Sequence, residues 1–521
     1  MHVTRREFLV AGAAGVALAT GGCGRPGDVV TEVKRRWGKP TAPPLPAQLA
    51  APTADTLDLA AHVLNRLTFG ARPGDHARVA AAGVEAFVEE QLAPERIADE
   101  LCERVIRHEF ESLADPAGTL FPRRADADDP LQRVFPALKD GGARVGHLYE
   151  FKEKVLLDDL TRATVLRAVL SERQLFEVMV QFWTDHFNID PSKADAKWLK
   201  AADDRDTIRA HALGKFGALL RASAVSPAML WYLDGRVNRR AKPEDRPNEN
   251  YARELLELHT LGVHGGYTQE DVMETARCLT GWTVRERKRF FRGRVEFRAR
   301  DHDDGPKRVL GTTIPAGLGA RDLDRVLEIL TAHPSTARHL AEKLCRRFIA
   351  DEPPTGAVAA TAAAFARSGG DIAATLRALF ATDEFRSPAA RGTKFKRPFH
   401  HVVSALRAAN AETDARKPLV DHLVRLGHAP FRYATPDGYP ETAEHWRNGL
   451  LWRWNFAAAL GENRIKGTRI DADALTRRLG GDEALMATVL GRRPSADERA
   501  AYRESGAGLA LLLATPAFQR C

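Results

Sequence analysis

The chain carries none of the short signatures that announce the commonest chemistries. It has no HExxH, no CxxCH haem site, no GxSxG elbow and no Walker loop. The usual hydrolase, kinase and cytochrome readings therefore have no footing. Cysteine is scarce, at five residues, and no two are spaced as CxxC. Cys278 and Cys345 fall in helical patterns among apolar neighbours, so buried free thiols are expected there. With Cys23 set aside, Cys102, Cys278, Cys345 and Cys521 would otherwise allow three disulfide pairings. Nor is there a dense basic cluster. The net charge of +8 comes from arginines scattered along all 521 residues, which argues against a nucleic-acid partner and leaves a weak, generic attraction to anionic lipid or wall polymer.

The N-terminus is more informative. Arg5 and Arg6 stand together, an uncharged stretch runs from Phe8 to Gly22, and Cys23 follows two glycines. A basic start, an apolar middle and small residues before a cleavage point make a signal peptide over residues 1–23. The paired arginines select the twin-arginine route. The apolar stretch is too short for a comfortable membrane span. Small residues before Cys23 suit lipidation of that cysteine, although Thr20 stands where leucine is usual. The expected location is the cell envelope, either tethered to the membrane surface through a lipid on Cys23 or released. Twin-arginine substrates cross the membrane folded, often because a cofactor is already in place. Residues 24–54 are rich in proline and alanine and read as a tether.

From Leu57 onward apolar residues recur at three- and four-residue spacing, the mark of amphipathic helices. The pattern predicts helices over Leu57–Leu67, Val84–Leu92, Glu153–Phe187, Arg205–Ala224, Glu249–Leu261, Gln269–Thr280, Ala320–Thr331, Ser335–Ala350, Gly356–Phe365 and Asp371–Phe380. Strand signals are few. The best is Phe290–Arg298, where Val295 and Phe297 alternate with charged residues, suggesting a small hairpin. The expected fold is mainly α: a large multi-helix body over residues 55–465 with a β-hairpin insertion near 288–312, and a C-terminal helical unit over 466–521. One internal echo stands out. Leu376–Ser387 (LRALFATDEFRS) and Leu509–Arg520 (LALLLATPAFQR) each run a helix into Ala-Thr, a turn and a phenylalanine.

Three stretches could carry chemistry. In Arg246–Trp282, Glu249, Arg253 and Glu257 are four apart and form an ion-pair ladder, while Glu254 and Glu257 are three apart and can reach one site. Glu254, Glu257 and His259 make an acid–base set, or with a divalent metal a ligand set. The same residues, with Glu249, Arg253 and Trp282, also read as a structural network that needs no substrate. In QFWTDHFNID, His186 lies on an aromatic helix face, as general base or as core histidine. In RDHDDGPKRVLG, Asp301 and His302 precede a glycine turn that suits a cation. It is not an EF-hand loop, because Pro306 and Thr312 occupy the required glycine and glutamate positions. Thr435–Trp446 reads as an ordered surface loop packed on aromatics, with Tyr439 and Glu441 available to line a site.

Taken together, His62–Asp75, Ser171–Asn188, Pro247–Val272, Leu279–Trp282, His302–Gly311, His333–Asp351 and Pro436–Glu441 resemble the domain-of-unknown-function 1800 family, over roughly His62 to Leu460. The resemblance implies an exported bacterial protein whose gene often neighbours one for a protein similar to sulfatases and alkaline phosphatases. It implies no activity and no catalytic residues. Two functions remain. One is a metal- or carboxylate-dependent hydrolase acting on an envelope or extracellular polymer, with His186, Glu254 and Glu257 as catalytic groups and His259, Asp301 and His302 as metal ligands. The other, which the sequence favours, is a non-catalytic partner or scaffold for the sulfatase-like neighbour. The first requires those residues to converge on an open pocket. The second buries them and shows an apolar surface patch.

Overall fold

The computed structural model describes residues 41–114, 142–242, 244–285 and 293–521. The signal segment, Cys23 and the first part of the tether lie outside the described residues. The fold is mainly α, and among the described residues the strands pair as two-stranded antiparallel ribbons. One apolar core runs from Ala60 through to Phe518, so residues after 466 share it with the main body. The four described cysteines are buried and unpaired. No helix of the described residues is long and apolar enough to cross a membrane.

Most expected helices form within a few residues of their predicted ends, such as Leu59–Leu67, Val84–Leu92, Arg321–Ala332, Pro334–Phe348 and Ile372–Phe380. Two expected helices are each divided. The stretch read as continuous over 153–187 is two helices, Gly142–Leu170 and Gln174–His186. At the break, Asp99 accepts hydrogen bonds from the Ser171 hydroxyl (2.7 Å) and the Glu172 amide (2.9 Å). The Gln174 side chain donates to the Ala168 and Ser171 carbonyls. Side chains thus take over backbone groups that helix continuation would have used. The stretch 205–224 is a π-helical turn, Asp204–Arg209, followed by the helix Phe216–Ala224. Between them the Ile372 amide donates to the Gly214 carbonyl (2.9 Å) and the Phe216 amide to the Gly370 carbonyl (2.8 Å), drawing the chain out of helical geometry.

The expected hairpin strand is present as Val295–Phe297, but its partner is Trp282–Val284, with Trp282 opposite Phe297. A second ribbon follows, Lys307–Val309 with Thr312–Ile314. The internal echo is real at the level of hydrogen bonds. Thr382 and Thr515 each donate to the carbonyl three residues back (2.7 Å in both). Each also accepts from the amide of the buried phenylalanine three residues on, Phe385 or Phe518.

Segments far apart in sequence are clasped together. Arg66 donates to the Ile349 and Ala390 carbonyls and to Thr393. Arg407 donates to the Gly70 and Val169 carbonyls.

Candidate functional site

Four of the segments that carry the family resemblance meet at one place. The helix Gln174–His186 ends in Asp185 and His186. The helix Asn250–Glu257 ends just before His259, closing with bonds from the His259 amide to the Glu254 carbonyl and from the Leu261 amide to the Leu256 carbonyl. Gly262 then takes a left-handed φ of 83°, as such closures require. A β-carbon there would lie 2.8 Å from His339 Nδ1, so the missing side chain also lets His339 approach. His339, Lys343 and Arg347 lie along the helix Pro334–Phe348. Glu441 arrives on the Thr435–Trp446 segment, and Arg397 from the turn before the helix Pro398–Ala408.

The histidines form one cluster. The His186 ring centroid lies 6.0 Å from that of His259 and 6.4 Å from that of His339. His186 Nε2 is 3.1 Å from the His259 carbonyl. A carbonyl only accepts, so this nitrogen bears the proton and Nδ1 carries the lone pair. Lys343 Nζ donates to that Nδ1 at 3.0 Å. Burial, then the nearby Lys343, pushes His186 well below the ordinary histidine range. The same two causes, in the same order, lower His259 to about 3 and His339 to about 4. All three rings are therefore neutral at pH 7. Burial lowers Lys343 to about 8, against the pull of Asp185 and Glu441.

Beside the histidines lies an ion network. Arg397 bridges Asp185 (2.7 Å) and Glu441 (3.2 Å), and Arg347 reaches Glu441 at 3.4 Å. Against the opposing effect of burial, Arg397 and Arg347 hold Glu441 down at about 2. Gly438 seats this segment. Its φ is 75°, and a β-carbon would fall 2.0 Å from the Asp185 carbonyl oxygen.

Of the residues singled out from the sequence, the structure joins His186 and His259. Glu254 is half-buried one turn before His259, its pKa raised by burial and by Glu257. Glu257 accepts from the Tyr267 hydroxyl (3.2 Å). The ladder contains Glu249 and Arg253 (3.2 Å), joined by Gln269 rather than Glu257. Trp282 stands apart from it, in a strand against Phe297. His302 belongs to a separate buried group. Its Nε2 is 3.1 Å from Asp322, which also pairs with Lys307, and its Nδ1 faces Thr280. Asp301 lies in the turn before it, where its carbonyl accepts from the Arg240 amide (2.8 Å). Among the described residues, no group of three or more His, Cys, Asp and Glu side chains is placed to hold a metal ion.

Sequence reasoning did not single out Asp185, His339, Lys343, Arg347 or Arg397. Asp185 adjoins His186 and was available from the same motif. His339, Lys343 and Arg347 are four apart, a spacing that puts them on one helix face. Tyr439, expected at a surface loop, is buried. It donates to the Ala429 carbonyl (2.8 Å) and packs on His428.

A family model described as a protein of unknown function, DUF1800, matches residues 62–520. No curated protein and no solved structure matches the chain.

Proposed function

Because the chain belongs to the DUF1800 family, whose function is unknown, we propose from its architecture that it is a non-catalytic docking partner for a sulfatase-like protein at the cell envelope. It reaches that place by the twin-arginine route and is held there by a lipid on Cys23. The observation that carries the reading is an apolar surface patch. On the helix Leu450–Gly461, Leu450, Leu451, Trp452 and Trp454 are 40, 62, 41 and 53% exposed. On the neighbouring helix Lys417–Arg425, Val424 is 41% exposed and the Arg425 guanidinium lies 5.6 Å from the Trp452 ring centre.

Tryptophan and arginine are the side chains that most often dominate binding energy at protein interfaces. A contiguous group of large exposed apolar residues marks a contact surface. The exposed residues Glu444, His445, Arg447 and Asn455 give it a polar rim. The helix is also rigidly held. Arg453, on its buried face, donates to Gln519 (2.9 Å) and to the Lys396 carbonyl (2.7 Å). By contrast, His186 and His259 are buried, His339 is half-buried, all three are neutral, and Glu441 and Asp185 are committed to arginines. This favours a structural role there over hydrolysis.

The test is co-expression with the sulfatase-like protein encoded beside this one. The two should co-purify. Trp452→Ser with Trp454→Ser should weaken the complex at least about 100-fold, as loss of two interface anchors does. It should leave the melting temperature within about 2 °C, because neither ring belongs to the buried core. Undiminished binding by the double variant, or no complex with the wild-type chain, would refute the reading.

A further inference from the structure

Glu412–Thr413 and Thr468–Arg469 form a two-stranded ribbon in which Glu412 stands directly opposite Arg469. Opposite charges that face each other across a ribbon attract. These two do not meet. Among the described residues, neither the Glu412 carboxylate nor the Arg469 guanidinium has a hydrogen-bond or ion-pair partner. Both line an open cavity of about 380 Å³.

Asp471 and Arg478 line the same cavity, from the start and the last turn of the helix Ala472–Leu479. Asp471 caps that helix with one oxygen, which accepts from the Ala474 amide (2.9 Å), and its other oxygen is left over. Arg478 gives one nitrogen to the Pro46 carbonyl and keeps the rest of its fork. Leu45, Ile470 and Leu475 supply apolar wall.

The cavity thus gathers two cations and two anions that form no ion pair with one another. A simple anion would meet two carboxylates there, and a simple cation two guanidinium groups. A molecule that carries both charges escapes each conflict. Guanidinium forks suit a phosphate. Carboxylates suit a primary ammonium, which has three N–H groups to donate.

The place of the cavity indicates the source of such a molecule. Ala42, Pro43 and Pro44 form one edge of it, next to Thr41, whose amide donates to the Thr413 carbonyl (3.2 Å). Thr41 follows Cys23 by 18 residues, a reach of at most about 65 Å. A lipid on Cys23 would tie this edge of the molecule to the bilayer.

We propose that this cavity takes the headgroup of a phosphoethanolamine lipid, with its phosphate on Arg469 and Arg478 and its ammonium on Glu412 and Asp471, so that this face lies on the membrane surface. The proposal rests on the reading above only for the lipid on Cys23, and it shares no residue with the patch around Trp452 and Trp454.

The test is flotation with vesicles, using the chain from residue 23 onward with Cys23→Ser, so that no attached lipid contributes. Vesicles of equal parts phosphatidylethanolamine and phosphatidylcholine should bind it. Pure phosphatidylcholine, whose quaternary ammonium has no N–H to donate, should bind at least about tenfold more weakly. Arg469→Gln should weaken binding by a similar factor. Glu412→Gln should erase the preference for phosphatidylethanolamine over phosphatidylglycerol, which has the phosphate without the ammonium. Both side chains are exposed, so both variants should fold. Trp452→Ser with Trp454→Ser should float as the parent does, which separates this result from the fate of the partner reading. Equal or tighter binding to phosphatidylglycerol vesicles overturns the proposal, as does loss of flotation in the tryptophan variant. Binding of free phosphoethanolamine without flotation would assign the site to a soluble compound and overturn the membrane docking.

Discussion

Replacing Gly438 with alanine should destabilise the protein by about 4 kcal/mol or more, a loss that places it among the rare severe single substitutions. Two costs combine. At φ 75° an alanine pays the left-handed penalty, about 1–2 kcal/mol. Its β-carbon would also overlap backbone, 2.0 Å from the Asp185 carbonyl oxygen, so neither a rotamer change nor a flexible neighbour relieves the contact. The segment must lift off the end of the helix Gln174–His186. Glu441, three residues on, then leaves Arg397 and Arg347, which are buried and would face each other without their shared carboxylate. Gly427 is the control. It has the same φ of 75° but nothing within 4 Å of its virtual β-carbon, so alanine there should cost only the conformational penalty. Urea denaturation of both variants decides the matter. Equal losses would mean that the approach to Asp185 contributes nothing.

Mild acid should unfold the protein. His62 and His259 are lowered to about 3 and His339 to about 4, while His186, His400, His401 and His428 lie well below the ordinary histidine value of 6.5. The first cause in every case is burial, and nearby lysines or arginines add to it in each. The folded protein therefore binds fewer protons than the unfolded chain at any pH between these values and 6.5. The stability they supply is fully present above 6.5 and is lost as the pH falls. Each group contributes about 1.4 kcal/mol per pH unit within that window. Acting together, they should remove several kcal/mol between pH 6.5 and 5.5, a large part of a typical total stability of about 5–15 kcal/mol. Asp99, Glu109, Asp185, Asp204, Glu254 and Asp414, whose carboxyls burial pushes up, act in the opposite direction, but they start from an ordinary value near 4 and so oppose the histidines mainly at lower pH. Calorimetry from pH 7.5 to 5 should show a steeply falling melting temperature, with a shallower slope in His401→Phe. A flat profile would mean that water or accepting groups let these imidazoles take up protons within the fold.

The helices were legible in the sequence because an amphipathic period is a local property, and here burial follows it. The breaks were not. Asp99 interrupts one helix from 72 residues away. Gly370 interrupts another, and nothing in residues 205–224 records it. The strand Val295–Phe297 was readable from its alternation. Its partner Trp282–Val284 was not, because three residues after a helix carry too little pattern to mark a strand. The site was half legible for the same reason. His186 and His259 stood out by their motifs, but the groups that fix their protonation come from distant segments. Lys343 is 157 residues from His186, and Arg397 is 212 from Asp185. His302 looked like part of the same centre only because its acidic neighbours resembled a ligand loop. In the fold its imidazole turns to Asp322, on a helix the motif did not include.

The long clasps carry a kinetic consequence. Arg66 finds its acceptors at residues 349, 390 and 393, and Arg407 closes on residues 70 and 169. An N-terminal segment of this kind cannot reach its final packing while the ribosome is still making the middle of the chain. It must wait, with Val63, Leu64 and Leu67 uncovered, until roughly four hundred residues have emerged. Closing such large loops is slow compared with forming helices, and it leaves apolar surface open to misassociation in the interval. The protein's vulnerable moment therefore comes before its first folded state rather than after it, and its yield in a cell depends on whatever shields the helix Leu59–Leu67 during synthesis.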